Sequence, residues 1–120
     1  MKILHVEDEY IIALGFKSQL RQIGNFSITH AADALDALKF FSESVFDLII
    51  LDVNLNSKID GITVAHEIRK TSNVPIIFMS GYSDDSIEEN INIISNSFFV
   101  KKPCETRVLK KHLDMIYENI

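Results

Sequence analysis

The chain has 120 residues, 47% of them hydrophobic and 24% charged, which is the size and balance of one soluble globular domain and is too apolar for a disordered segment. A formal net charge of −5 works against nucleic acid as a partner, because phosphate contacts need clustered Lys and Arg; it suits a metal cation or a basic protein surface. No apolar run approaches the roughly 20 residues that a membrane span needs, and the lone Cys104 excludes an internal disulfide and fits a reducing compartment, so the expected location is the cytoplasm.

In chain order, Ile3 to Val6 forms a short apolar run followed at once by Glu7-Asp8-Glu9. Ile12, Phe16, Leu20 and Ile23 then recur at helical spacing, and Gly24-Asn25 is expected to end that helix in a left-handed cap. Phe26 to Thr29 alternates apolar and polar, as in a strand at a sheet edge or with one buried face. Asp33 is placed to cap a second helix carrying Leu35, Leu38 and Phe41. Asp47-Leu48-Ile49-Ile50-Leu51-Asp52 follows, an unbroken apolar run ending in a carboxylate, which reads as a strand buried on both faces.

Beyond Asp52 a polar stretch from Asn54 leads to Asp60-Gly61 and a third helix marked by Ile62, Ala65 and Ile68. Val74 to Met79 is a fourth strand, with Pro75 near its start where a missing donor costs least, and it runs into Ser80-Gly81-Tyr82. Asp85 and Glu88 resemble a capping box for a fourth helix with Ile87, Ile91 and Ile94 on its apolar stripe. Phe98 to Val100 is a last strand before Lys101-Lys102-Pro103, and Leu109, Leu113, Ile116 and Ile120 complete a fifth helix.

Strand and helix alternate five times without repeat or linker. This predicts a single α/β domain over residues 1–120, a five-stranded parallel sheet with helices on both faces. The edge character of the second strand favours the flavodoxin-like (βα)5 order 2-1-3-4-5 over a barrel. In that order the crevice opens above the carboxyl ends of strands one and three. Glu7, Asp8, Asp52, Ser80 and Lys102 then share one rim. Three carboxylates so close repel, so at least one pKa is expected to rise unless a cation joins them. A hard divalent ion, Mg²⁺ or Mn²⁺, answers that need, with the Asn54 backbone carbonyl as a further ligand. Such a site suits phosphoryl transfer onto Asp52, with Lys102 and the Ser80 hydroxyl meeting the remaining phosphoryl oxygens.

These elements together resemble a receiver domain of the two-component response-regulator family, the family of the chemotaxis regulators, over the whole chain. The matching residues are Glu7-Asp8, Asp52, Asp60-Gly61, Ser80-Gly81 and Lys102-Pro103, each at the expected strand or helix end. The resemblance implies a phosphoryl group passed to Asp52 from a histidine kinase, a histidine phosphotransfer protein or a small phosphodonor. It implies Mg²⁺ dependence, a cis Lys102–Pro103 peptide, self-catalysed loss of the phosphoryl group, and no conventional enzyme activity. It further implies a switch in which Ser80 and Phe99 move together and alter the surface of helix four, strand five and helix five for a downstream protein effector. By family position, Asn54 and Tyr82 border the phosphoryl group, and the bulk of Tyr82 implies a slow to moderate phosphoryl lifetime. A phosphorylation-dependent dimer is left open, no output domain is expected after Ile120, and neither nucleic acid nor membrane is expected as a partner.

The chain departs from the family pattern in three places. The loop from Val53 to Gly61 is one residue longer than usual and lacks its proline, which makes Ser57-Lys58 a bulge. Ser95-Asn96 stands where Gly-Ala is common, with Asn96 expected in the left-handed region. Phe78-Met79-Ser80-Gly81-Tyr82 is similar to a subgroup motif, yet Phe99 keeps the aromatic that this subgroup tends to lack. Competing readings have specific requirements. A haloacid-dehalogenase-type phosphatase needs an Asp two residues after its nucleophile, where this chain has Asn54. A receiver-like scaffold without phosphorylation would have lost an acid, Ser80 or Lys102. Blander roles also exist: Glu7, Asp8 and Glu9 could serve the dipole of helix one, Phe99 could be core, and Asp60 could be a helix cap. His5 is expected to be buried and hydrogen-bonded, and the four histidines show no metal-ligand spacing.

Overall fold

The computed structural model describes residues 1–53, 60–81 and 85–118. Five strands and five helices alternate through them: β1 (Lys2–Val6), α1 (Tyr10–Ile23), β2 (Ser27–Ala31), α2 (Ala34–Glu43), β3 (Leu48–Asp52), α3 (Gly61–Arg69), β4 (Ile76–Ser80), α4 (Asp85–Asn92), β5 (Ser97–Lys101) and α5 (Thr106–Glu118). The strands form one parallel sheet in the order β2-β1-β3-β4-β5. Among the described residues no helix is long and apolar enough to cross a membrane.

Side chains of a strand alternate between faces, so each apolar run feeds two cores. Leu4, Val6, Ile49, Leu51, Ile76 and Phe78 meet Ala34 and Ala37 of α2, Val64, Ala65 and Ile68 of α3, and Ile91 of α4. Ile3, Leu48, Ile50, Ile77, Met79 and Val100 meet Phe16 and Leu20 of α1 and Leu109, Leu113 and Ile116 of α5. All five residues of β3 and of β4 are buried, whereas β2 and β5 are only partly covered, as edge strands must be. This is why the first four residues after Asp47 read as a continuous apolar run while Phe26 to Thr29 alternated.

Helix starts follow from short polar side chains. Asp33 accepts a hydrogen bond from Asp36 N at 2.8 Å, and Asp60 accepts one from Thr63 N at 2.8 Å, each satisfying an N–H that the helix leaves open. Asn96 takes φ 52° between α4 and β5, and the Lys102–Pro103 peptide is cis, both as expected.

Several expectations are corrected. Gly24 does end α1, but in an extended conformation (φ −172°), its N–H closing on the Leu20 carbonyl at 3.1 Å. The second strand runs from Ser27 to Ala31, later than the Phe26–Thr29 alternation suggested, because the Glu7 N–H reaches past it to the Ala31 carbonyl. Ile12 (41% exposed) and Leu35 (71%) are not core residues. Ala13 and Ala34 occupy the inward positions instead, since helices lying flat on a sheet put small residues at the closest approach. His5 is buried as expected, but among the described residues its ring makes contacts with Phe16 and His30 and no side-chain hydrogen bond. The Ser57-Lys58 bulge, Asn54, Tyr82 and Ile120 lie outside the described residues, as do the side chains of Asp85, Ile87 and Glu88.

Candidate functional site

The rim above β1, β3 and β4 is assembled by register. Ile3, His5 and Glu7 form one row along β1, and Leu48, Ile50 and Asp52 the matching row on β3, both on the α1/α5 side of the sheet. Glu7 is 1% exposed and Asp52 7%. Backbone bonds fix the ends: Glu7 N donates to the Ala31 carbonyl at 3.0 Å, Val53 N to Met79 at 3.0 Å, and Lys102 N to Ser80 at 2.8 Å. His30 holds β2 against β1 by donating Nε2–H to the Glu7 carbonyl at 2.6 Å, which sets its tautomer, since a carbonyl oxygen can only accept.

Lys102 is the centre of the cluster. Its Nζ donates to Glu7 Oε2 at 2.7 Å and to Asp52 Oδ2 at 2.9 Å, joining residues 95 and 50 positions away in sequence. Glu7, Asp8 and Asp52 each offer a carboxylate oxygen, and these atoms all lie within 4.8 Å of one another. Three carboxylates against one ammonium leave a formal charge of −2 in this cluster, the charge a divalent cation would cancel. All-oxygen, mostly buried and doubly negative, the donor set fits a hard ion such as Mg²⁺.

The expected rise in a carboxyl pKa falls on Glu7. Burial pushes it up first and the charge of Asp52 adds to this, while the hydrogen bond from Lys102 opposes them. Like-charge repulsion is therefore real but secondary to desolvation. For Lys102, burial pulls the ammonium down, yet its hydrogen bonds to Glu7 and Asp52, with their charges, outweigh this and hold it above the ordinary lysine value. It stays charged throughout the neutral range. His5, one step below Glu7, is pushed down to about 3, chiefly by burial and then by the charges of His30 and Lys102.

Ser80 is fully buried at the end of β4, and Lys101 pairs with it across β5. By alternation Ser80 continues the row of Ile76 and Phe78, and Phe99, opposite Phe78, packs against that same core. Ser80 and Phe99 thus share the face turned away from Glu7 and Asp52 along their strands. Of the residues singled out from sequence, Glu7, Asp8, Asp52 and Lys102 are brought together, Ser80 stands beside them on the next strand end, and Phe99 lies one strand further on.

A search against family models matches residues 3–114 to the response regulator receiver domain. The chain belongs to the response regulator receiver family. Among curated proteins, this receiver domain is 34% identical over 118 residues to a probable transcriptional regulator, ycf27, of Cyanidium caldarium, covering 98% of this chain and 47% of that one. It is 30% identical over 121 residues to the response regulator protein GraR of Staphylococcus haemolyticus, spanning 53% of it. The chain thus spans about half the length of these relatives. Among solved structures, the N-terminal domain of a response regulator/sensory box/GGDEF three-domain protein from Carboxydothermus hydrogenoformans superposes with TM-score 0.87 at 27% identity, covering 99% of this chain and 98% of that one. The chemotaxis protein CheY4 of Vibrio cholerae shares the fold with TM-score 0.86 at 24% identity, covering 96% of this chain and 97% of that one. The receiver domain is a module of two-component signalling, and the flavodoxin-like order of its sheet is that of these neighbours.

Two residues of this receiver domain do more than their sequence context shows. Gly61 is, in sequence, half of the Asp60-Gly61 pair at the start of α3. It is buried against the end of β3, where a Cβ would run into the Asp52 carbonyl, and its N–H donates to the Val53 carbonyl at 3.2 Å. Arg69 donates to the carbonyls of Ser95 (2.9 Å), Asn96 (3.0 Å) and Ser72 (3.2 Å), pinning the turn that leads into β5. A glycine directly after a capping Asp is a signal that could have been followed; an arginine at a helix end carries none.

Proposed function

We propose that Asp52 is the phosphoacceptor of this receiver domain. One carboxylate oxygen of Asp52 forms a bond to phosphorus as the P–N bond to the imidazole of a histidine kinase or histidine phosphotransfer protein breaks, and that imidazole leaves with the bonding pair. A small phosphodonor such as acetyl phosphate would react alike. The observation that carries the reading is the Lys102 ammonium held at hydrogen-bond distance from both Glu7 and Asp52 inside a cluster of net charge −2. Glu7, Asp8 and Asp52, with the Asn54 carbonyl, would hold Mg²⁺ or Mn²⁺, which when bound supplies positive charge to the phosphoryl oxygens. Lys102 would follow the phosphoryl group as a second counter-charge, and the Ser80 hydroxyl would donate to a third oxygen.

The same reading gives the output. A hydrogen bond from Ser80 to a charged phosphoryl group is worth about 1.5–3 kcal/mol, short of the about 5.5 kcal/mol that full inversion of a two-state equilibrium needs. Ser80 therefore acts with Lys102, and the space it vacates lets Phe99 turn inward, since both stand on the same face of the sheet. The surface of α4, β5 and α5 changes for a downstream protein effector or a second copy of the domain. Tyr82, two residues after Ser80 in sequence, would slow attack by water.

Incubation with acetyl phosphate and Mg²⁺ followed by intact mass measurement tests the chemistry. The expected result is a gain of one phosphoryl group that Asp52→Ala abolishes and chelation prevents. Unmodified protein, or a gain that survives in Asp52→Ala, would overturn the assignment.

A further inference from the structure

A cavity of about 600 Å³ opens between α1, the ends of β1 and β4, and the Lys102–Cys104 segment, with neither Asp52 nor Asp8 in its lining. Its size is within the range of small-molecule sites, roughly 300–1,000 Å³. Ile12, Phe16, Met79 and Pro103 make its wall apolar. Its two charged members, Glu7 and Lys102, pair with each other at 2.7 Å, and Lys102 is also held by Asp52 at 2.9 Å, so neither is free to take a charged ligand.

Two independent features suggest that this space is built rather than left over. The first is His5, which lines the cavity at 3% exposure and has no side-chain hydrogen bond among the described residues. Its ring lies 4.6 Å from that of Phe16, centroid to centroid. Buried polar groups are almost always satisfied, so a buried imidazole facing an apolar space calls for a partner within that space. The second is Gly15, in the middle of α1, where glycine is a poor choice for helix stability. It is exposed at the mouth of the same cavity, and a Cβ there would meet nothing within 4 Å, so backbone crowding does not demand this glycine and a larger side chain at this position would narrow the opening.

We infer that the cavity binds a neutral small molecule with an aromatic body and one hydrogen-bonding group, the body against Phe16 and the polar group to His5. Aromatic packing favours offset or edge contacts with a ring such as Phe16, and a neutral imidazole can both donate and accept. The inference stands whether or not Asp52 accepts phosphate.

N-phenylnaphthylamine, a neutral arylamine with one N–H and a fluorescence that rises in apolar surroundings, is the probe, with naphthalene as the partner that lacks the N–H. The expected result is saturable binding of both at one site, with amide shifts centred on His5, Gly15 and Phe16. Gly15→Leu, which fills the open wall with a residue of higher helix propensity, abolishes both, while its circular dichroism and phosphorylation by acetyl phosphate match the parent. His5→Phe keeps an aromatic ring at this position and loses the polar partner, so it weakens the arylamine about three- to tenfold, the cost of one hydrogen bond, and leaves naphthalene unchanged. Non-saturable fluorescence would show a cavity filled only by water and overturn the inference. Binding undiminished in Gly15→Leu, or equal loss of both probes in His5→Phe, would overturn it as well.

Discussion

Lys102 satisfies two buried acids with one ammonium, and the arrangement is expensive to break. Removing one partner of a buried ion pair leaves an uncompensated charge, which typically costs about 3–5 kcal/mol; with Lys102 one-fifth exposed, solvent reduces this. Lys102→Met is therefore expected to lower the unfolding free energy by about 2–3 kcal/mol in chelator, read from the urea midpoint, and Mg²⁺ is expected to restore part of it by binding only the folded state. Cys104 carries the pH prediction at this scale. Burial pushes its thiol above the ordinary value, with Glu105 adding to the rise and a backbone hydrogen bond at Leu109 opposing it. A raised pKa means less thiolate at any given pH, so alkylation by iodoacetamide at mildly alkaline pH should run slower in the folded protein than in urea. The gap should close as pH climbs through the raised value.

At the scale of elements, two helical glycines make opposite predictions. Gly61 opens α3 with its Cα pressed on the end of β3, so Gly61→Ala must push the Asp52 carbonyl aside. It is expected to destabilise by about 1–3 kcal/mol, as overpacking does, and to shift the amide resonances of Asp52 and Val53. Gly15 meets open space, so Gly15→Ala is expected to stabilise α1 by about 0.5–1 kcal/mol, read as a higher denaturation midpoint. Composition does not separate these two glycines. Asp60 marks the start of α3 in the sequence and does cap it, but the reason for its neighbour lies in a strand that precedes it by several residues. The same holds for Ile12 and Leu35. Each fits a helical period, yet a helix of mixed apolar residues offers more than one stripe, and contact with the sheet selects Ala13 and Ala34 for the inner positions.

For the whole molecule, the two cores on either face of one sheet make burial the main stabilising term. Ile50, fully buried in the middle of β3, should cost about 2–5 kcal/mol when cut to alanine, whereas Leu35→Ala, exposed on α2, should stay within about 0.5 kcal/mol. Equilibrium denaturation of the two variants checks this, and equal effects would contradict the placement of the sheet.

The order of elements, the parallel sheet and the strand ends at which Glu7, Asp8, Asp52, Ser80 and Lys102 stand are legible along the chain. Those features follow from local periodicity and from capping residues within three or four positions of what they cap. The sequence also carried Asn96 in the left-handed region, because the backbone preference of one residue is a local property. It takes the folded chain to show that Lys102 bridges Glu7 and Asp52, that burial raises the Glu7 carboxyl, that Gly61 supports the Asp52 backbone, that Arg69 ties α3 to the turn before β5, and that His5 faces a cavity without a hydrogen-bond partner among the described residues. Each of these depends on atoms brought within a few ångströms from distant parts of the chain. Desolvation and pairing are set by those distances rather than by the identity of neighbours along the backbone.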